Sequence, residues 1–123
     1  MTGVSSEVNN EDGLLAGEFP LTTKSVVISN GQNLTRGAVL GRVTGSGEYI
    51  LSLAAAGDGS DAIRAVLAED VDATGGAQTA TAYLTGKFNQ NKLTFGAGHD
   101  ASTVATQNEM EDRNLYLVDS VQA

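Results

Sequence analysis

IRAVLAEDVDATGGAQTATAYLTGKF, residues 63–88, decides the fold class. Its first part, IRAVLAEDV (63–71), is almost continuously apolar in the middle, as expected of a strand covered on both sides. Asp72-Ala-Thr-Gly-Gly76 then reverses the chain into QTATAYLTGKF (78–88), so the pair reads as one long hairpin. Outward from it the same signal recurs. KSVVIS (24–29) is rich in β-branched residues and ends at the turn dipeptide Asn30-Gly31. RGAVLGRV (36–43) predicts a strand interrupted by Gly41. Gly45-Ser46-Gly47 leads into EYILSL (48–53), whose Tyr49, Leu51 and Leu53 share one face by alternation. KLTF (92–95) and LYLVDSV (115–121) supply two more short strands. STVATQNEMEDR (102–113) is the one helical segment, with Thr106 and Glu109 spaced like a capping box inside it. The fold class is mainly β with one short helix near the C-terminus: a small sandwich- or barrel-like domain over 22–123.

Composition says how such a domain must be packed. The 123 residues suffice for one domain but not two. Sixteen alanines, no Trp and only three each of Tyr and Phe predict a thin core of small side chains. Aromatic residues bury the most area each, so this core is marginal alone and gains from partners. The net charge is −8, and the seven bases (Lys24, Arg36, Arg42, Arg64, Lys87, Lys92, Arg113) form no run. Nucleic acid and anionic membranes repel such a chain. Without cysteine there is no disulfide, thiolate nucleophile or zinc ribbon. The polar start, MTGVSSEVNNEDG, has no signal-peptide pattern, and no apolar run exceeds four residues, too short to span a membrane.

Residues 1–13 read as a flexible arm of Gly, Ser, Asn and acids. LLAGEFPL (14–21) follows, mixing Leu14, Leu15, Phe19 and Leu21 with the only proline, Pro20. Two readings stand side by side: a sticky segment that docks on another chain, or a first edge strand packed on its own domain.

Each candidate for chemistry has a plainer counterpart. Gly57-Asp58-Gly59-Ser60-Asp61-Ala62-Ile63 carries the rhythm of a calcium-binding β-roll, but it occurs once, and calcium needs six to eight oxygens from successive turns. A tight turn in which Asp58 and Asp61 bond local N–H groups accounts for the same residues. Glu69, Asp70 and Asp72 are a solvated strand end rather than a hydrolytic pair, since alternation sends Glu69 to the face opposite Asp70 and Asp72. His99, the only histidine, has no Ser in a nucleophile-elbow context to work with. No catalytic residue, metal or cofactor is expected. One rival to a purely structural role is a small acidic carrier or ligand-binding domain of biotinyl or lipoyl type, with Lys87 as the modified lysine. Its neighbours Gly86 and Phe88 do not match those carriers.

Several of these stretches in order resemble the head decoration proteins of lambda-like tailed phages. Asp58-Gly-x-x-Asp61 runs into Ala65-Val66-Leu67-Ala68, Tyr83-Leu-Thr-Gly86-Lys-Phe88 follows, and LYLVDSV closes the chain. Gly37-Ala-Val-Leu-Gly41 and Ala68-Glu-Asp-Val-Asp-Ala-Thr74 are similar to the longer members. The likeness covers about residues 20–121. It implies a β-rich homotrimer bound to the major capsid protein on the outside of an expanded head, at three-fold and quasi-three-fold positions. It also implies an N-terminal arm (residues 1–21) that orders on the capsid by adding strand to coat-protein elements. Beside a disordered segment, Leu14, Leu15, Phe19 and Pro20 are the expected capsid-facing anchors. Short members have a proline-rich arm; here Pro20 stands alone, which leaves the register of docking open.

Overall fold

One strand organises the molecule. In the computed structural model, which describes residues 14–15 and 21–118, the long strand of the sequence reading is Gln78–Asn89. In chain order the strands are β1 (Thr22–Ile28), β2 (Asn33–Leu34), β3 (Val39–Arg42), β4 (Tyr49–Leu51), β5 (Ile63–Leu67), β6 (Val71–Asp72), β7 (Gln78–Asn89) and β8 (Leu115–Val118). The helix α1 is Val104–Asp112. β7 pairs antiparallel with β1 from Gln78↔Ile28 to Thr85↔Thr22, antiparallel with β5 at Tyr83↔Val66, and parallel with β8 from Gly86↔Leu115. β1 then meets β4 in parallel at Ile28↔Tyr49, β4 meets β3, and β3 meets β5. The five strands β1-β4-β3-β5-β7 therefore close on themselves as a barrel.

Closure explains the alanines. A barrel of about eight strands is only just wide enough inside for side chains. Five strands leave less room, and the inner cluster is correspondingly small-chained: Ala38, Ala65, Ala73, Ala80 and Ala82 sit with Val26, Ile28, Leu40 and Leu67. Tyr49 is the one aromatic of this cluster, and the other buried aromatics, Tyr83 and Phe88, pack outside it. Leu14, Leu15, Ile63, Val66, Tyr83, Phe88, Met110 and Leu115 form a second cluster between barrel, helix and β8. Alternation along β7 feeds both, Ala80 and Ala82 inward and Tyr83 outward. Gly41 interrupts its strand for a reason: the register slips between Leu40 and Gly41, and a Cβ there would run into the Ser60 carbonyl.

The hairpin expectation needs a correction. Residues 63–71 are not one strand; β5 stops at Leu67, and β6 pairs with β2 in a separate two-stranded sheet. The acids cause the break. After the Ala68 N–H donates to the Thr81 carbonyl (2.9 Å), the Glu69 carboxylate accepts the Thr81 N–H (2.7 Å) in place of a backbone carbonyl. The Asp70 carboxylate accepts the Arg36 N–H (2.9 Å), so the chain peels off β7 with its ladder groups satisfied. The 92–95 strand is also reduced: Gln90–Lys92 is a 3-10 turn, and Thr94 makes a lone bridge to Ala38.

The helix lies within the expected 102–113 segment, but its capping box does other work. Thr103 is the N-cap, without a side-chain cap bond. Thr106 accepts the Asp100 N–H, and Glu109 accepts the Ile63 N–H at 2.6 Å, tying α1 to β5. Asn114, at φ 63°, ends the helix in the left-handed conformation that Asn tolerates.

Candidate functional site

Leu14 and Leu15, the first described residues, lie on β7. Leu15 bridges Phe88 antiparallel, and the Leu14 carbonyl accepts the Asn89 N–H at 2.7 Å. Both side chains are buried, Leu14 completely and Leu15 to 8% exposure, in the outer cluster with Phe88 and Leu115. Leu21 packs on the same cluster. Gly86, at φ 154°, makes room for it, since a Cβ there would meet the Leu21 side chain at 2.6 Å. Of the four expected anchors, Leu14 and Leu15 are thus held inside the protomer. Phe19 and Pro20 lie outside the described residues, as does most of the arm.

The other candidates resolve into turn chemistry. Asp58 accepts the Ser60 N–H (3.0 Å) and hydroxyl (2.5 Å), so its carboxylate serves a turn. Asp61 enters through its carbonyl instead, which takes the Ser52 hydroxyl and the His99 ring nitrogen. Asp72 with Thr74, and Asp100 with Ser102, repeat the Asp58 arrangement. In all three the hydrogen bonds hold the carboxyl below its ordinary value: the side-chain hydroxyl contributes most at Asp58 and Asp72, the Ser102 N–H at Asp100.

Ser52 and His99 come within 3.0 Å, the spacing of a nucleophile and its base. The bonding does not suit that chemistry. Ser52 is fully buried and its hydroxyl donates to the Ser60 carbonyl at 2.7 Å. The His99 Nε2 faces the Asp61 carbonyl, which can only accept, so that nitrogen carries its proton and is no base toward Ser52. Lys87 lies inside β7 opposite Tyr116 of β8, not at a hairpin tip where a carrier lysine swings.

The sequence reading missed one grouping. Four of the seven bases converge at one end of the barrel: Lys24 (β1), Arg42 (β3), Arg64 (β5) and Arg113 just past α1 line a basin with Tyr49 (β4) and Leu84 (β7). Every barrel strand contributes one residue. Alternation held the signal, because Lys24 precedes Val26 and Ile28 on the inward face and Arg42 follows Ala38 and Leu40. Burial, then the charges of Arg113 and Arg42, push the Arg64 guanidinium below the usual arginine range.

A family model described as bacteriophage lambda head decoration protein D matches residues 4–111. The chain belongs to that family. No individual curated protein matches the sequence. The family match spans the barrel and most of the helix and stops short of β8. Membership supports a structural role in phage capsid decoration rather than a catalytic one. It also fits a protein whose carboxylates are spent on turns and whose Ser–His pair is locked into a loop.

Proposed function

We propose that this chain is a cement protein: a homotrimer, made in the host cytoplasm, that binds the outside of an expanded phage head. It sits at three-fold and quasi-three-fold positions and clamps neighbouring coat subunits against the pressure of packaged DNA. The family match over residues 4–111 carries this reading. Three arms per trimer add modest contacts through effective concentration rather than one tight site. Each arm, residues 1–21, pairs with coat-protein strands by β-augmentation, main-chain bonds giving affinity and alternate side chains giving register. About 1,000 Å² or more buried in all is typical of a specific interface.

Leu14, Leu15, Phe19 and Pro20 keep distinct parts in this proposal. Leu14 and Leu15, buried beside Phe88, fix the point from which the acidic arm leaves the domain. Phe19 and Pro20, between Leu15 and Leu21, are the apolar groups offered to the shell. A truncation that tests the arm must therefore stop short of Leu14, or it removes core as well. Deleting residues 2–12 together with Phe19→Ser and Pro20→Ser should leave the melting temperature and self-association unchanged while abolishing co-sedimentation with expanded, undecorated heads. A truncated protein that decorates normally refutes the arm mechanism; a full-length protein that ignores expanded heads refutes the capsid reading.

A further inference from the structure

The cations at the barrel end are the feature neither the turn chemistry nor the arm explains. The whole chain carries fifteen acids and seven bases. With four bases gathered in one basin, the rest of the molecule holds fifteen acids against three bases, or −12. Among the described residues, no hydrogen bond or ion pair joins the side chains of Lys24, Arg42, Arg64 or Arg113 to a carboxylate. Arg36 shows what an internally used arginine looks like here: it donates to the Ala68 carbonyl and the Tyr83 hydroxyl and lies over the Tyr83 ring. The basin cations instead face one another, and Arg64 bears the repulsion of Arg42 and Arg113. A fold with acids to spare keeps like charges together at a cost that an external anion would relieve.

The basin's shape narrows the anion. Its floor is Tyr49 and Leu84, so apolar contact accompanies the charge, which suits the side chains of a peptide better than a bare ion. Arginine forks match carboxylates in two-pronged geometry. Duplex DNA meets the −12 remainder and is repelled. The acids nearest Leu14 in the sequence are Asp12 and Glu11, and Leu14 lies beside Asn89, five residues along β7 from Leu84. At about 3.3 Å per strand residue that is roughly 17 Å, more than the two or three residues to Asp12 and Glu11 can span, and Glu7 by itself would bring one carboxylate to four cations. An arm from a neighbouring copy is already committed to the shell in the mechanism proposed above.

We infer that the basic end of the barrel docks an acidic segment of the coat subunit, a second contact with the head set five residues along β7 from the Leu14–Asn89 contact. This rests on the capsid-binding reading. Two anchors at separated points would fix the orientation of each protomer on the shell, which a single attachment point cannot do.

The test uses the full-length protein and expanded, undecorated heads, with co-sedimentation measured from low to high salt. Lys24 and Arg113 are exposed, so the double variant K24E/R113E tests the basin with least risk to folding; R42Q/R64Q follows, and melting curves verify both. Wild-type binding should weaken with salt. K24E/R113E should bind at least roughly tenfold more weakly at low salt and lose most of the salt dependence. Variants with wild-type melting that bind heads with unchanged affinity and salt dependence overturn the inference while leaving the capsid reading standing. Wild-type protein that fails to bind heads defeats the capsid reading itself. Direct binding of a synthetic peptide of residues 1–13 to a variant lacking residues 2–12 tests the other occupant. If the peptide binds it and K24E/R113E abolishes that binding, the occupant is an arm of another copy and the coat assignment is wrong.

Discussion

The two apolar clusters of this small protein do different jobs. Inside the barrel, Ala38, Ala65, Ala73, Ala80 and Ala82 let five strands close around a narrow axis. Outside it, Phe88, Tyr83, Met110 and several leucines glue the helix, β8 and the arm root to the barrel wall. The inner cluster is short of volume and the outer one rich in it. The difference teaches where tolerance lies: the barrel cannot accept bulk, whereas the outer layer cannot lose it.

The strongest way to break the comparison is at Phe88. It is fully buried, tilts against Tyr83 with ring centroids 5.6 Å apart, and bridges Leu15. Phe88→Ala should cost about 3–5 kcal/mol, the largest effect of any single truncation proposed here. Hydrogen exchange should rise in α1, β8 and residues 14–15 before it rises in β1, β3 and β5. Uniform loss of protection would mean that the two clusters are one cooperative unit.

Leu14→Ala is the next step down, at about 2–5 kcal/mol for a buried leucine. The variant should melt below wild type and become more sensitive to protease near the arm root, with the barrel strands still protected. Unchanged melting would show that the root does not contribute to the core.

Those two residues also mark how far the sequence was legible. β-branched runs, turn dipeptides and period-two alternation gave β1, β3, β4, β5, β7, the helix and the thin core, because these signals are local. The break after Leu67 was not legible, since it depends on Glu69 and Asp70 finding Thr81 and Arg36 at long range. Capping-box spacing misled at Thr106 and Glu109 for the same reason: a tertiary partner outbid the local one. Of the site, the apolar character of 14–21 was visible, and both of its readings were kept open. The basic basin stayed hidden because bases far apart in sequence become neighbours only when the barrel closes.

The inner cluster is probed by the opposite change. Ala82→Leu adds bulk where β7 faces the barrel axis, and overpacking of this kind costs about 1–3 kcal/mol. Here exchange should rise in β1, β3 and β5 first, the reverse of the Phe88 pattern. If Ala82→Leu is neutral while Phe88→Ala is severe, the barrel has slack and the argument from strand number fails.

The smallest effect comes from the turns that join the layers, and it depends on pH. Asp58, Asp72 and Asp100 each accept hydrogen bonds that favour the ionised carboxylate, so their folded values lie below the ordinary 3.8. A group of that kind binds its proton more readily in the unfolded chain. Its contribution is complete above pH of about 4 and disappears as the pH falls through the lowered folded value. All three carboxylates are exposed, which keeps the contribution small. The melting temperature should decline below pH 4, and the triple variant D58N/D72N/D100N should start lower at pH 6 and decline less steeply. The two curves should approach each other in acid, where the wild-type carboxyls have also lost their charge. Parallel curves would show that the three turns contribute nothing to the acid sensitivity.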